Sequence, residues 1–255
     1  MDKPLVSVVM PAYRCAGVIG KAIESVLIQN VSVELLIIDD CGPEDLVPVL
    51  KPYREDPRVR IFRNPTNLGA AASRNRGVEL ARGKYVAFLD ADDIWIAGKL
   101  EKQLAAIERT GAVLCATARE LMTPEGIPTG RIIPVKETIT YRDLLRHNCI
   151  NCSSVLMESQ VARMFPMTHE DSHEDYIIWL QVLEQYDFAC AVNEPLLRYR
   201  MSKTGKSGSK LQSAKMTFRV YRHMGFSVVR SVLLFVSYAV HGVAKYARSY
   251  FGERA

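Results

Sequence analysis

The chain has 255 residues, 48% of them hydrophobic and 24% charged, which is the composition of a soluble globular protein with ample length for one large or two small domains. Met1-Asp2-Lys3-Pro4 runs straight into a strand-like stretch with no export signal, so the six cysteines are expected as reduced thiols rather than a disulfide framework. The net charge of +5 is uneven: residues 1–195 carry 21 Lys/Arg against 27 Asp/Glu, a net −6, while residues 196–255 carry 12 Lys/Arg against the single acid Glu253, a net +11. A basic tail on an acidic body points to a polyanionic partner such as a membrane surface, nucleic acid or a phosphate ligand.

In chain order, residues 5–10 predict a buried strand closed by Pro11-Ala12-Tyr13, and residues 17–29 predict a helix on the spacing of Val18, Ala22, Ile23, Val26 and Leu27. Residues 34–38 form a second strand ending at Asp39-Asp40, followed by a helix over 44–55 with acids in its first turn. A third strand over 59–62 and a loop over 64–69 lead into an Ala-rich helix over 70–82, closed by Gly83. The fourth strand, over 85–89, is short and apolar and runs into Asp90-Ala91-Asp92-Asp93. A helix over 98–110 and a strand over 112–118 follow. Strands alternating with helices in this way argue for an α/β fold with a parallel, doubly wound sheet. Residues 120–170 are less regular. A helix over 175–185, a strand over 186–192, a polar loop over 201–210 and a long apolar and basic helical stretch over 215–250 complete the chain.

Asp90 and Asp92 repel each other unless a cation neutralises them, and hard divalent ions with oxygen ligands suit that position. The same acids also fit the first turn of a helix. Ligands bind at the carboxyl ends of parallel strands, and Asp39-Asp40 opens onto the same edge if its strand is a parallel neighbour. The first turn, Pro11-Ala12-Tyr13-Arg14, lacks the Gly-rich dinucleotide fingerprint, and no Walker A loop is present, which argues against NAD or FAD. Tyr13 offers a ring for a base, or is an ordinary exposed side chain. In Asn67-Leu68-Gly69-Ala70-Ala71-Ala72-Ser73-Arg74-Asn75-Arg76-Gly77, small residues allow close approach to a ligand. Arg74 and Arg76 there suit a diphosphate, or are simply solvated.

Taken in order, Val8-Val9-Met10-Pro11-Ala12-Tyr13, Ile37-Ile38-Asp39-Asp40, Asn67 to Asn75 and Phe88-Leu89-Asp90-Ala91-Asp92-Asp93 resemble the family 2 inverting glycosyltransferases of GT-A fold, of the type that builds bacterial surface polysaccharides. The likeness spans residues 5–200. It implies a doubly wound, mostly parallel sheet flanked by helices, a nucleotide-sugar donor (usually a UDP-sugar) and Mn2+ or Mg2+. Pro11, Tyr13 and Asp40 match base-binding positions, and Arg74 matches a donor-binding one. Asp90 and Asp92 match the family's D-x-D, with Asp92 the more direct metal ligand and Asp93 able to share that role. Glu174-Asp175-Tyr176-Ile177-Ile178-Trp179 resembles the family's acidic motif before a Trp-bearing helix, which makes Asp175 the general base; taken alone, the pair reads first as the acidic first turn of a helix. Cys41-Gly42-Pro43 departs from the family's Gly-Ser-Thr and leaves the helix cap after Asp40 in question. Tyr199-Arg200 with residues 202–210 resembles a loop of polysaccharide-building members, where Arg200 or Lys203 would help hold the diphosphate; a flexible basic linker is the other reading.

The implied activity is inverting, metal-dependent sugar transfer to a hydroxyl of a lipid-linked glycan. A nucleotide-sugar nucleotidyltransferase would need a Gly-rich basic loop after the first strand, which is missing. A non-catalytic nucleotide-binding module would not need Asp175. His169-Glu170-Asp171-Ser172-His173 satisfies H-E-x-x-H, but this polar window behind Pro166 lacks the helix that pattern requires. Cys149 and Cys152 form a C-x-x-C with no second pair.

Residues 231–244 carry no formal charge, yet they fall short of the ~20 residues of a comfortable span. Arg219, Arg222, Arg230, Lys245 and Arg248, with Tyr221, Tyr238, Tyr246 and Tyr250, predict an amphipathic helix or helix pair on an anionic leaflet. A helical cap on the core or a homo-oligomer contact is the alternative. The expected organisation is a catalytic domain over 1–212, with a donor-binding part over 1–118 and an acceptor-binding part over 119–212, and a helical tail over 213–255. The expected location is the cytoplasm, peripheral on the inner face of the cell membrane, with no nucleic-acid partner.

Overall fold

Val6-Ser7-Val8-Val9-Met10 is apolar on both faces except at Ser7, and it is buried on both faces, as an inner strand of a parallel sheet must be. A computed structural model describes residues 3–169, 171–201 and 210–251, without the side chains of 210 and 242–251. In it β1 (Val6–Ala12) lies between β2 (Val33–Asp39) and β4 (Tyr85–Phe88), with β3 (Val59–Arg63) outside β2, and all these pairings are parallel. Ser7 is accommodated because its hydroxyl donates to Glu34 Oε1 at 2.7 Å and accepts the Gly83 amide at 2.8 Å. The register pairs Ala12 with Asp39 and Val9 with Phe88. Pro11, Asp40 and Asp90 therefore emerge on one edge of the sheet.

The sheet then turns mixed. β9 (Leu156–Glu158) is antiparallel to both β4 and β6 (Leu114–Met122), β10 (Phe188–Arg200) runs parallel to β6, and β5 (Ile94–Trp95) closes the far edge. β7 (Pro128–Ile133) and β8 (Thr138–Thr140) add to β6 and β10. Residue 118 lies inside β6, so one sheet runs through both expected parts of the catalytic domain.

Helices cover both faces. Val8, Met10, Leu35 and Ile37 pack with α1 (Ile19–Leu27) and α4 (Lys99–Thr110), while Val9, Leu36, Ile38 and Phe88 pack with α3 (Gly69–Leu80) and α7 (Glu174–Gln185). α5 (Tyr141–Arg146) and α6 (Ser159–Met164) are short.

Some expected elements differ. In place of a helix over 44–55 there is a four-residue α2 (Val47–Leu50) and a 3-10 turn (Lys51–Tyr53), because Pro48 and Pro52 each start a new turn and cannot continue a ladder. α3 ends at Leu80 with Ala81 extended, so Gly83 is not its cap; a Cβ on Gly83 would fall 2.7 Å from the Ser7 amide nitrogen, and close backbone approach is what requires glycine there. The helical stretch over 215–250, expected as one helix or a pair, is a pair, α8 (Lys210–His223) and α9 (Val228–Phe251), parted at Gly225 with φ 80°. The polar loop over 202–209, with Lys203, lies outside the described residues.

Gly77 sets how closely α3 lies on β1. A Cβ there would sit 2.9 Å from Val9 Cγ2 and closer still to Cγ1. Gly77→Ala is expected to destabilise the fold by about 1–3 kcal/mol through overpacking, read as a lowered midpoint in urea or thermal unfolding. An unchanged midpoint would mean α3 shifts freely.

Candidate active site

The strand ends of β1, β2 and β4 and the start of α3 enclose a cleft of about 540 Å3. Pro11, Tyr13, Asp40, Arg74, Asp90 and Asp92, all singled out from the sequence, lie on its wall together with Arg14, Cys15 and Asn67. Tyr13 is 41% exposed at the rim, with Gly42 against its ring. Cys41 takes a left-handed conformation at φ 53°, its amide donating to Asp39 Oδ1 at 3.1 Å. No helix starts directly after Asp40, which answers the question raised by Cys41-Gly42-Pro43.

Asp40 builds the wall. Its Oδ1 accepts from Asn64 Nδ2 at 2.7 Å and the Leu68 amide at 2.9 Å, and its Oδ2 accepts from the Gly69 amide at 2.9 Å. A buried carboxylate is thereby satisfied by donors at the entry to α3, where a negative charge is favoured. Asn64 extends the network to Ser73 Oγ at 2.9 Å and to Arg76 Nη1 at 2.5 Å. Arg76 is thus held by Asn64 and does not line the cleft.

Arg74 is buried, and its guanidinium meets Asp90 Oδ1 at 2.5 Å and Glu174 Oε1 at 3.2 Å. Burial opposes its charge, but Asp90 and more weakly Glu174 outweigh that and hold it protonated well beyond the ordinary arginine range. The neighbouring Asn75 clamps Met167, accepting its amide at 2.7 Å and donating to its carbonyl at 2.7 Å. α3 therefore grips the segment leading into α7. The sequence places Glu174 beside Asp175, the expected base, but holds no signal for its pairing with Arg74, 100 residues away.

The three acids after β4 have different fates. Asp93 is buried, stays off the cleft wall and accepts the Arg200 amide at 2.9 Å; burial, then Asp92 and Asp90, push its carboxyl well above the usual range. Arg200 itself donates to the Asp92 carbonyl and to the Pro124 carbonyl, each at 2.7 Å, so it braces the backbone of the acid turn. Asp92 faces the cleft, and burial together with Asp90 lifts its carboxyl from 3.8 to about 6.

Asp175 is the second residue of α7, beside Glu174 and partly exposed. Burial and then the Glu174 charge raise its carboxyl, and its Oδ1 accepts the Tyr176 amide at 2.8 Å. The H-E-x-x-H arrangement does not form: His169 sits at φ 62° outside any helix, and α7 begins only after His173, whose Nε2 lies 3.3 Å from the Ser213 carbonyl. The cysteines are free thiols, as expected, and burial raises Cys152 well above the usual thiol range.

The Asp92 shift makes a thermodynamic prediction. Ionising this carboxyl is harder in the folded chain than in the unfolded one, so its charge costs stability as pH rises from about 4 through about 6 and at all higher pH. Asp92→Asn should raise the melting temperature at pH 7.5, with the gain shrinking as pH falls towards 4. A gain independent of pH would contradict this origin.

The sequence matches the model for "Glycosyl transferase family 2" over residues 7–163. It is 35% identical over 246 residues to TuaG of Bacillus subtilis (strain 168), named as a teichuronic acid biosynthesis glycosyltransferase, covering 95% of this chain and 98% of that one. It is 31% identical over 255 residues to the Escherichia coli UDP-Glc:alpha-D-GlcNAc-diphosphoundecaprenol beta-1,3-glucosyltransferase WfgD, covering 98% of each. In fold it resembles S. aureus TarS 1-349 solved with UDP-GlcNAc, with a TM-score of 0.70 at 16% identity over 90% of this chain and 70% of that one. A similar likeness, TM-score 0.69 at 13% identity over 97% of this chain and 76% of that one, links it to the mannosyltransferase PcManGT of Pyrobaculum calidifontis solved with GDP-Man and Mn2+.

Proposed function

The chain belongs to glycosyl transferase family 2, with the GT-A architecture, and from that premise we propose that it moves a sugar, with inversion, from a UDP-sugar to a hydroxyl of a lipid-linked glycan in bacterial surface polysaccharide synthesis. The observation that carries this reading is the convergence of Tyr13, Asp40, Arg74, Asp90 and Asp92 on one cleft, with Arg74 tying it to the helix that bears Asp175. The names of relatives support the substrates: WfgD and WfaP of Escherichia coli are both named for UDP-Glc and a diphosphoundecaprenol-linked acceptor.

Asp90 and Asp92 offer oxygen ligands only; burial and then the Asp90 charge lift Asp92 to about 6, and a hard cation such as Mn2+ or Mg2+ offsets both by favouring the ionised carboxylates. Asp90 already gives an oxygen to Arg74, which favours Asp92 as the more direct ligand. Bound there, the cation would offset the charge developing on the leaving diphosphate. Arg74 adds a fixed positive charge on the cleft wall for the same phosphates. Asp175 takes the proton from the acceptor hydroxyl as its oxygen bonds to the anomeric carbon and the bond from that carbon to the diphosphate breaks. A carboxyl raised by burial and by Glu174 is a better base for that step than an ordinary aspartate.

The tail suits a lipid-linked acceptor. α9 turns Leu234, Phe235 and Tyr238 onto the core and leaves Val229, Val232, Leu233, Val236 and Val240 in solvent. No helix among the described residues is long and apolar enough to cross a membrane. An exposed apolar face on a tail whose two helices also carry Arg219, Arg222 and Arg230 fits the surface of an anionic leaflet.

Asp92→Ala should abolish the part of UDP binding that depends on Mn2+, and equal calorimetric affinity with and without the ion would refute the metal assignment. Asp175→Asn should keep UDP binding and lose about 10²–10⁴-fold in turnover, so normal turnover would place the base elsewhere. Leu233→Glu with Val236→Glu should release the protein from vesicles of anionic phospholipid without changing UDP binding. If the unaltered protein stays in the supernatant and elutes as a dimer, the apolar face is an oligomer contact.

A further inference from the structure

One histidine of the broken H-E-x-x-H pattern belongs to another set of side chains. His169 holds its left-handed conformation because Ser172 donates to its carbonyl twice, from the amide at 2.9 Å and from the hydroxyl at 2.8 Å. Its ring stacks on that of His223, the last residue of α8, with centroids 3.8 Å apart and planes inclined by 16°. Asp171 Oδ1 lies 3.3 Å from His223 Nε2. Arg219 Nη1 lies 3.5 Å from Asp171 Oδ2 and donates to the Asp171 carbonyl at 2.9 Å. All three residues are exposed, and one ligand atom from each lies within 4.8 Å of the others.

We propose that His169, Asp171 and His223 form a site for a borderline transition-metal ion such as Zn2+, which clips the segment before α7 to the end of α8. Two imidazoles and one carboxylate are the donor set of an open zinc site, with water filling the rest of the coordination sphere. The same set is poor for Mg2+, which prefers oxygen alone, so it is chemically distinct from the Asp90/Asp92 pair. Metal–ligand bonds of about 2.0–2.2 Å bring ligand atoms closer than they stand now, and splaying the two stacked rings about their Cβ–Cγ bonds supplies the movement. Arg219 acts as an outer-shell partner: it occupies Oδ2 and fixes the Asp171 backbone, which leaves Oδ1 turned to the imidazoles. The ion takes no part in the chemistry. It would tether the stretch directly ahead of Glu174 and Asp175 to α8, adding to the His173–Ser213 contact between the same segments.

The test is Zn2+ titration by calorimetry on the full chain, stripped of metal, at pH 7.5 with excess Mg2+ present, with thermal unfolding in parallel. The unaltered protein should bind one equivalent and melt higher with Zn2+. His223→Ala and His169→Ala, changed on opposite sides of the site, should each weaken binding at least about a hundredfold, beyond what losing an outer-shell partner costs, and remove the thermal gain. His173→Ala should bind as the unaltered protein does. Absence of saturable binding, binding unchanged in either of the first two variants, or loss in His173→Ala equal to theirs overturns the proposal.

Discussion

A guanidinium with almost no access to water has to be answered by carboxylates, and the burial of Arg74 imposes that condition on everything around it. Asp90 answers it from the end of β4 and Glu174 from the first turn of α7. The two acids belong to different parts of the chain, so the ion pairs join the strand edge to the helix that carries Asp175. Arg74 can stand there only because α3 lies close on β1, and that closeness depends on a missing side chain at Gly77. Asn75, next along α3, fastens Met167 and makes the grip two-pointed.

Around this arginine the acidic edge divides its labour. Asp40 is saturated by an amide side chain and two backbone amides, so its charge is spent on shaping the cleft wall. Asp93 is turned inward to anchor the end of β10. Asp90 and Asp92 remain as charge presented to the cleft, with Asp90 partly answered by Arg74. Only Asp92 combines a position on the cleft with a carboxyl lifted to about 6. The difference between neighbouring acids comes from how deeply each is buried, from the acids beside it, and from which amides and which arginine it reaches.

The parallel half of the fold was legible because its signals are local: apolar runs such as Val6 to Met10 end in turn residues, and alternation with helices then dictates which ends share an edge. The second half was not, since β9 is three residues long in a stretch that reads as irregular, and its place between β4 and β6 is decided by packing rather than propensity. The strand expected over 186–192 does not stop there: β10 passes through Asn193-Glu194-Pro195 with register shifts against β6 and runs on to Arg200. Within the cleft, the residue types of Tyr13, Arg74, Asp90 and Asp92 could be read from their motifs. The partners that give them distinct properties could not, because Glu174 and Met167 come from far along the chain.

The two-sidedness of α9 makes the tail inseparable from the body. Leu234, Phe235 and Tyr238 complete the core on one side, and Tyr221 of α8 is wholly buried with its hydroxyl on the Leu145 carbonyl at 3.0 Å. Truncating these helices would therefore strip the lid from the interior and cost folding itself. Whatever the outer stripe of valines and leucine rests against is coupled through a single helix to the packing of α7, because Tyr238 on the inner side of α9 meets Tyr176 of α7 with ring centroids 6.1 Å apart, so a load placed on that outer face reaches the helix that carries Asp175.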